Sequence, residues 1–423
     1  MSTNSFEQLH EQLNVDPERP LSLINRRRFL QGALAAGGAL AVPAAFADYA
    51  AAQGGNDTIV LTVTLGGGND GLNTLGPFNT GAYQDVRGRL AISPGRAHRA
   101  EGRLFFHPNL RRLSNRFNAG DVAVVRGVGE PLRDQSHFSN IARWQSANPN
   151  GRITGTGWLG RWMDSTRTTA FSGVTVGGRG IPLHFRSADS DVTDLPRVGG
   201  SSLYGSDSTE GRDRRLYNAI SNMGRRANRS DWVNRVGQVN ALSISSAREA
   251  APAFDQALPE NELSLDMVLA ARVINLNLGT RVLNVGHGGY DLHDDQIGAN
   301  SSVGTHADLL AELDQGIDVF FRTLDSRLAS RVVVMVYSEF GRRVEPNGSN
   351  GTDHGTASHL FAIGDRVNGG MYGDVPPINA LDERGNLRVT SDFRRVYASV
   401  LEGALGSPSN SILGSRYPSF NIL

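Results

Sequence analysis

Acids, imidazoles and one hydroxyl recur in this chain as short groups placed directly after apolar, β-branched runs. Asn69-Asp70 follows Thr58–Leu65 through Gly66-Gly67-Gly68. Asp134-Gln135-Ser136-His137 follows Asp121–Val128. The stretch His287-Gly288-Gly289-Tyr290-Asp291-Leu292-His293 follows Arg281–Val285. Glu339 comes just past Arg331–Tyr337, Asp353-His354-Gly355 lies in the loop beyond it, and His359 is close behind. Carboxylates and imidazoles in this number are the ligand set of a divalent cation, Zn, Mn or Mg, as one ion or two. The candidate ligands are Asp70, Asp291, His293, Glu339, Asp353, His354 and His359. Ser136 opens a helical pattern, where free N–H groups favour an anion, and a hydroxyl beside an ion is a candidate nucleophile. His137 is expected to point elsewhere, because consecutive helical positions do not share a face.

Each group also has a plainer use. Asp70 in a Gly-rich turn can cap or close that turn, and Ser136 can serve as an N-cap. Asp291 and His293 can pair within their loop, Glu339 can pair with Arg342 or Arg343, and His359 can be a structural residue on a following strand. The chain has no cysteine, so thiolate ligands, disulfides and Cys nucleophiles are excluded together.

The elements that must position these groups are legible from periodicity. Val332-Val333-Val334-Met335-Val336 is a continuous apolar run, the pattern of a strand buried on both faces. Val174–Val176 is a further short run. Between the runs lie helical patterns at Gln135–Ser146, at His306–Ala329, with Leu309, Leu310, Leu313, Ile317, Phe320, Phe321 and Leu324 on one stripe, and at Ser391–Leu405, with Ser391 or Asp392 as N-cap. Strands alternating with helices predict an α/β fold, a mainly parallel sheet with helices on both faces. In such sheets ligands sit beyond the carboxyl ends of the strands, where the polar groups fall. Residues 187–262 are polar and Arg-rich, with helical stretches at Arg214–Met223 and Asp231–Val239, and read as an insertion or cap on a single domain spanning 48–423.

Ahead of that domain, Arg26-Arg27-Arg28-Phe29-Leu30 precedes a weakly apolar Gly/Ala run from Gly32 to Phe46, which ends in Ala45-Phe46-Ala47. Residues 1–47 therefore resemble a twin-arginine signal peptide with an A-x-A type cleavage site. The run is shorter than the ~20 apolar residues a membrane span needs. The expected location is periplasmic or secreted, with membrane contact only during export. Lys+Arg and Asp+Glu both number 42 among 423 residues, which argues against nucleic acid as an obligate partner.

Several motifs occur together and in order: Leu65-Gly66-Gly67-Gly68-Asn69-Asp70-Gly71-Leu72-Asn73, Ser136-His137-Phe138, Trp158-Leu159-Gly160-Arg161, Asp291-x-His293, Ser338-Glu339-Phe340-Gly341-Arg342, Gly351-Thr352-Asp353-His354-Gly355 and Val367-Asn368-Gly369-Gly370. Their order and wording resemble the bacterial family called domain of unknown function 1501. That family is similar to the alkaline-phosphatase-like superfamily, which includes sulfatases and phosphoglycerate mutases. The resemblance implies two metals at the carboxyl edge of a parallel sheet. Asp70, Ser136 and Asp353-His354 match one ligand group in kind and order. The second group takes an Asp, a His four residues on and a further His; here the spacing is Asp291-x-His293, with Asp295 at the four-residue position.

Two functions follow as expectations. One is an exported metal-dependent hydrolase of phosphate or sulfate esters, with Ser136 as nucleophile and a small ester as substrate. The other is a non-catalytic exported protein of the same fold that binds metal, a glycan or another cell-surface polymer, or a partner protein.

Overall fold

The computed structural model describes residues 57–130, 134–149, 151–166, 168–197 and 251–423, with scattered helical residues at 215, 217–219, 222, 241, 243–247 and 249–250. The leader 1–47 and the helical stretch expected at Asp231–Val239 lie outside the described residues. The main body comprises Asn56–Gly200 and Pro252–Leu423; Ser201–Ala251 groups apart from it.

Beside a small three-stranded antiparallel sheet formed by 75–76, 98–99 and 105–106, the body is built on one nine-stranded sheet. Its strands are β1 (Ile59–Leu65), β2 (Val122–Gly129), β3 (Gly173–Val176), β4 (Thr193–Leu195), β5 (Val282–His287), β6 (Val332–Ser338), β7 (Ser358–Ile363), β8 (Gly370–Tyr372) and β9 (Ser391–Asp392). The order across the sheet is β8-β2-β7-β6-β1-β5-β3-β4, with β9 also pairing β2. All pairings are parallel except those of β7, which runs antiparallel to both β2 and β6. The five expected runs form β1, β2, β3, β5 and β6 within a residue or two of their expected ends. β7 is the following strand on which His359 could stand; Ser358-His359-Leu360-Phe361-Ala362-Ile363 lacks the β-branched run that marks the others. Residues 193–195 belong to the sheet as β4.

The apolar run at 332–336 sits where its composition demands. Every residue of β6 is buried, and the pleat sends alternate side chains to opposite faces. Val333, Met335 and Tyr337 join one core with Trp144, Trp158, Phe393, Tyr397 and Leu401. Trp144 stacks between Tyr337 and Phe393, with ring centroids at 5.4 and 4.4 Å. This core lies under helices α3 (His137–Ser146), α4 (Trp158–Asp164) and α7 (Phe393–Ser399). Helices α5 (Glu262–Asn275) and α6 (Thr305–Thr323) lie outside that cluster and pack together where Gly316 meets Leu263 and Met267. Two shorter helices, α1 (Gly81–Arg87) and α2 (Arg111–Ala119), lie between β1 and β2.

One helix end differs from expectation and one choice of cap is decided. The pattern 306–329 is broken after Thr323, because Asp325 caps a new turn by accepting from Arg327 N–H at 3.0 Å. In 391–405 the cap is Asp392, which accepts from Arg394 N–H at 2.9 Å, while Ser391 pairs with β2.

The antiparallel β7 has a direct consequence for chemistry. The loop 339–357 leaves β6 at its carboxyl end and must return to that same edge to start β7. It thereby carries Asp353-His354 back to the edge where β1, β5 and β6 end.

Candidate metal centre

Glu339 is the first residue past β6, and 5% of it is exposed. Its Oε1 accepts from the Gly67 N–H at 2.9 Å and from His137 Nδ1 at 2.8 Å, while the Ser338 hydroxyl donates to Oε2 at 3.0 Å. The loop after β1 makes this possible. Gly67 has φ +121°, and a Cβ there would stand 2.4 Å from the Asp291 nitrogen. Only glycine lets the two loops approach so closely.

Asp291 is held on the loop after β5 by its neighbour Tyr290, which is buried and donates its N–H to Gly66 O at 3.1 Å. Asp291 Oδ1 accepts from Arg342 Nη2 at 2.5 Å. Arg342 is fully buried and also binds the carbonyls of Gly67, Gly68, Thr352 and Tyr290. Burial pushes the Asp291 carboxyl up, but the Arg342 guanidinium outweighs it and holds the group well below the usual carboxylate range.

Three imidazoles close on this carboxylate. His137 Nε2 is 3.3 Å from Asp291 Oδ2, and His293 Nε2 and His354 Nε2 are each 3.1 Å from Oδ1. His293 Nε2 and His354 Nε2 are 2.9 Å apart. Each Nδ1 is engaged by an oxygen: His137 by Glu339, His354 by the Gln135 carbonyl at 2.7 Å, and His293 by Asp353 Oδ1 at 3.3 Å. Such oxygens accept, so a proton on each Nδ1 leaves a lone pair at Nε2 turned toward the centre. Two lone pairs at 2.9 Å beside a carboxylate repel unless a cation lies among them. The buried His137 Nε2 has no hydrogen-bond partner. His137, Asp291 and His354 bring ligand atoms within 4.8 Å of one another, a spacing that could hold an ion.

The surroundings favour ligation. Phe340 lies against His137 and His354, with ring centroids at 4.9 Å from each. Burial lowers the His354 pKa, helped by the charge of Arg342, which keeps that ring neutral; the hydrogen bond to Glu339 raises that of His137. The side chains of Asp291 and His293 are 47% and 45% exposed, so one face of the centre is open. Oxygen partners behind the Nδ1 atoms fix tautomer and ring orientation, the usual support of a metal-bound histidine.

The expected residues divide. Asp291, His293 and His354 come together at the centre. Glu339 and Asp353 stand behind it, each oriented on a histidine. Glu339 pairs with neither Arg342 nor Arg343. Ser136 is exposed at the start of α3 beside His137 and Gln135, and its side chain does not cap the helix. Two candidate ligands require correction. Asp70 is buried away from the imidazoles, where it caps the turn Gly71–Thr74 through Asn73 N–H and pairs with Arg87. His359 sits on β7 and spends Nε2 on the Leu75 carbonyl at 2.8 Å, with Nδ1 enclosed. His137 corrects the expectation in the other direction. Of the two neighbours, it is the histidine that turns inward and the serine that faces out. The available signal was its place in the first turn of a helix that follows a parallel strand.

Residues 123–392 match the family described as protein of unknown function (DUF1501). The chain belongs to this family. No curated protein matches this family member. Among solved structures it is similar to a protein in the alkaline phosphatase superfamily from Vibrio parahaemolyticus, at 9% identity and TM-score 0.33, covering 76% of this chain and 63% of that one. It is also similar to alkaline phosphatase from the Antarctic bacterium TAB5, at 12% identity and TM-score 0.29, covering 74% of this chain and 92% of that one. The chain thus spans less than two thirds of the first of these proteins.

Proposed function

We propose that this family member is an exported metal-dependent hydrolase of phosphate or sulfate esters. The observation that carries the reading is the convergence of three Nε2 atoms and one carboxylate, with every Nδ1 engaged by an oxygen. His137, Asp291, His293 and His354 would hold the ion. Three imidazoles and one carboxylate suit Zn²⁺ better than Mg²⁺, which prefers an all-oxygen shell. A bound ion would supply Lewis acidity toward an ester oxygen.

The chain's own residues would do the rest. Glu339, Asp353 and the Gln135 carbonyl keep the three rings in register. Arg342 keeps Asp291 ionised. Ser136 is the proposed nucleophile: its side chain is exposed, and it opens a ten-residue helix whose first-turn N–H groups are not capped by its hydroxyl. Asp134, the acid nearest that helix start, is balanced by Arg143 at 3.1 Å. The open face at Asp291 and His293 would admit a small ester or the ester groups of a cell-surface polymer. Among the described residues no helix is long and apolar enough to cross a membrane; the paired arginines 26–27 support the exported reading.

The test is zinc loading followed by elemental analysis and assay with aryl phosphate and aryl sulfate. His354→Ala should lose both metal and turnover. Ser136→Ala should keep the metal and lose turnover; retained turnover would remove Ser136 from the mechanism. A metal-loaded protein inert to both ester classes would overturn hydrolysis and leave a metal-dependent binding protein.

A further inference from the structure

The resemblance to alkaline-phosphatase-like proteins implies a second ion on Asp70, Ser136, Asp353 and His354, and these residues do not fit one. We infer that each chain holds a single cation, because the Arg87 guanidinium supplies the positive charge beside Asp70. The inference rests on the metal reading of the histidine centre and goes beyond it by fixing the stoichiometry and assigning Arg87 its role.

Asp70 has little left to offer a metal. It is 3% exposed. Oδ1 accepts from Asn73 N–H at 3.2 Å, and Oδ2 accepts from Gln296 Nε2 at 2.6 Å and from Arg87 Nη2. Burial alone would raise the Asp70 carboxyl. The charge of Arg87, with the Gln296 hydrogen bond, holds it below its ordinary value instead, so it is a satisfied carboxylate.

Arg87 is equally committed. It is fully buried. Nε donates to Asn73 Oδ1 at 3.2 Å, Nη1 to the carbonyls of Arg343 and Val344 at 3.1 and 3.0 Å, and Nη2 to Asp70. A guanidinium held by four residues cannot swing aside for an incoming ion, and a divalent cation placed on Asp70 would face its charge at close range in a poorly screened interior.

The other expected ligands point away. His354 gives Nδ1 to Gln135 and turns Nε2 to His293 and Asp291. Asp353 Oδ1 serves His293 and Asn347. Between Asp70 and the histidine centre runs a chain of protein hydrogen bonds. Gln296 donates to Asp70 and accepts from the Thr352 hydroxyl at 2.8 Å, the Thr352 carbonyl accepts from Arg342 Nη1 at 2.8 Å, and Arg342 reaches Asp291. The two arginines thus stand on two of the acids that a binuclear centre would use; on the Asp70 side His306 spends Nε2 on Asn69 Oδ1 at 3.0 Å, whereas three imidazoles close on Asp291.

The experiment is a count of bound zinc per chain in the full-length protein after saturation and removal of free metal, by elemental analysis and by calorimetric titration. One ion is expected in the wild type. Asp291→Asn together with His354→Ala should reduce the count to zero. Asp70→Asn should leave it at one while lowering the melting temperature, since Arg87 loses its counter-charge. A wild-type count of two that falls to one in Asp70→Asn would overturn this inference and leave the histidine centre standing. A count of zero would overturn both. The wild-type count decides the matter even if Asp70→Asn does not fold.

Discussion

Glu339 and His137 lie 202 positions apart in the chain and meet at 2.8 Å, Oε1 to Nδ1. That contact ties the carboxyl end of β6 to the first turn of α3, and it decides which nitrogen of His137 faces the centre. Removing the acceptor frees the ring to rotate and to exchange tautomers. Glu339→Ala should weaken zinc binding by roughly 10- to 100-fold, the usual cost of losing a partner behind a ligating histidine. Competition against a chelator of known affinity measures this. Unchanged affinity would mean that His137 is not a ligand.

Gly67 is the point where the loops after β1 and β5 touch. In Gly67→Ala the new methyl group meets the Asp291 nitrogen, and the backbone is held at a φ that alanine rarely adopts. The loop bearing Asp291 must shift. The variant should lose metal affinity and melt earlier, with a stability loss of about 1–3 kcal/mol from backbone strain. Thermal unfolding with and without zinc checks it: the zinc-induced rise in melting temperature should shrink along with the melting temperature itself.

Acid should destabilise the fold well above the range where carboxylates titrate. Burial holds His107 and His184 at pKa values of about 3 and His287 and His306 at about 4. In the unfolded chain these rings protonate near 6.5. Because the unfolded state binds protons first, the stability they confer is complete above about pH 6.5 and declines as pH falls toward their folded values. Urea unfolding between pH 7 and pH 4.5 should give a steadily falling midpoint, and His184→Asn should make that fall shallower. A flat profile would contradict neutral burial of these rings.

Export should depend on the guanidinium pair at the start of the chain. Arg26→Lys with Arg27→Lys keeps the charge and removes the forked donors. The double variant should remain unprocessed in the cytoplasm, as cell fractionation with an antibody to the protein would reveal. Normal processing and recovery outside the inner membrane would exclude the twin-arginine route.

The sequence by itself determined the strand-forming segments of the parallel core and the edge at which the candidate ligands emerge. Apolar runs such as 332–336 have one low-energy fate, burial on both faces of a sheet, and polar groups that follow such runs must emerge at the strand ends. It also supplied the elements of the centre, since Asp291, His293 and His354 stand out by type alone. Which acids belong to the centre was decided by tertiary structure. Asp70 reads like a ligand in its Gly-rich turn, but the position of Arg87 on another element converts it into a structural ion pair. His359 reads like a ligand by proximity to Asp353-His354, but the antiparallel course of β7 carries it to the Leu75 carbonyl. His137 reads like a bystander, yet the direction of α3 turns it toward Glu339 and Asp291. Residue type and local period fix what a segment can bury or expose. Whether a given carboxylate meets an imidazole or a guanidinium depends on partners from distant segments, and a separation of 202 positions leaves no local signature.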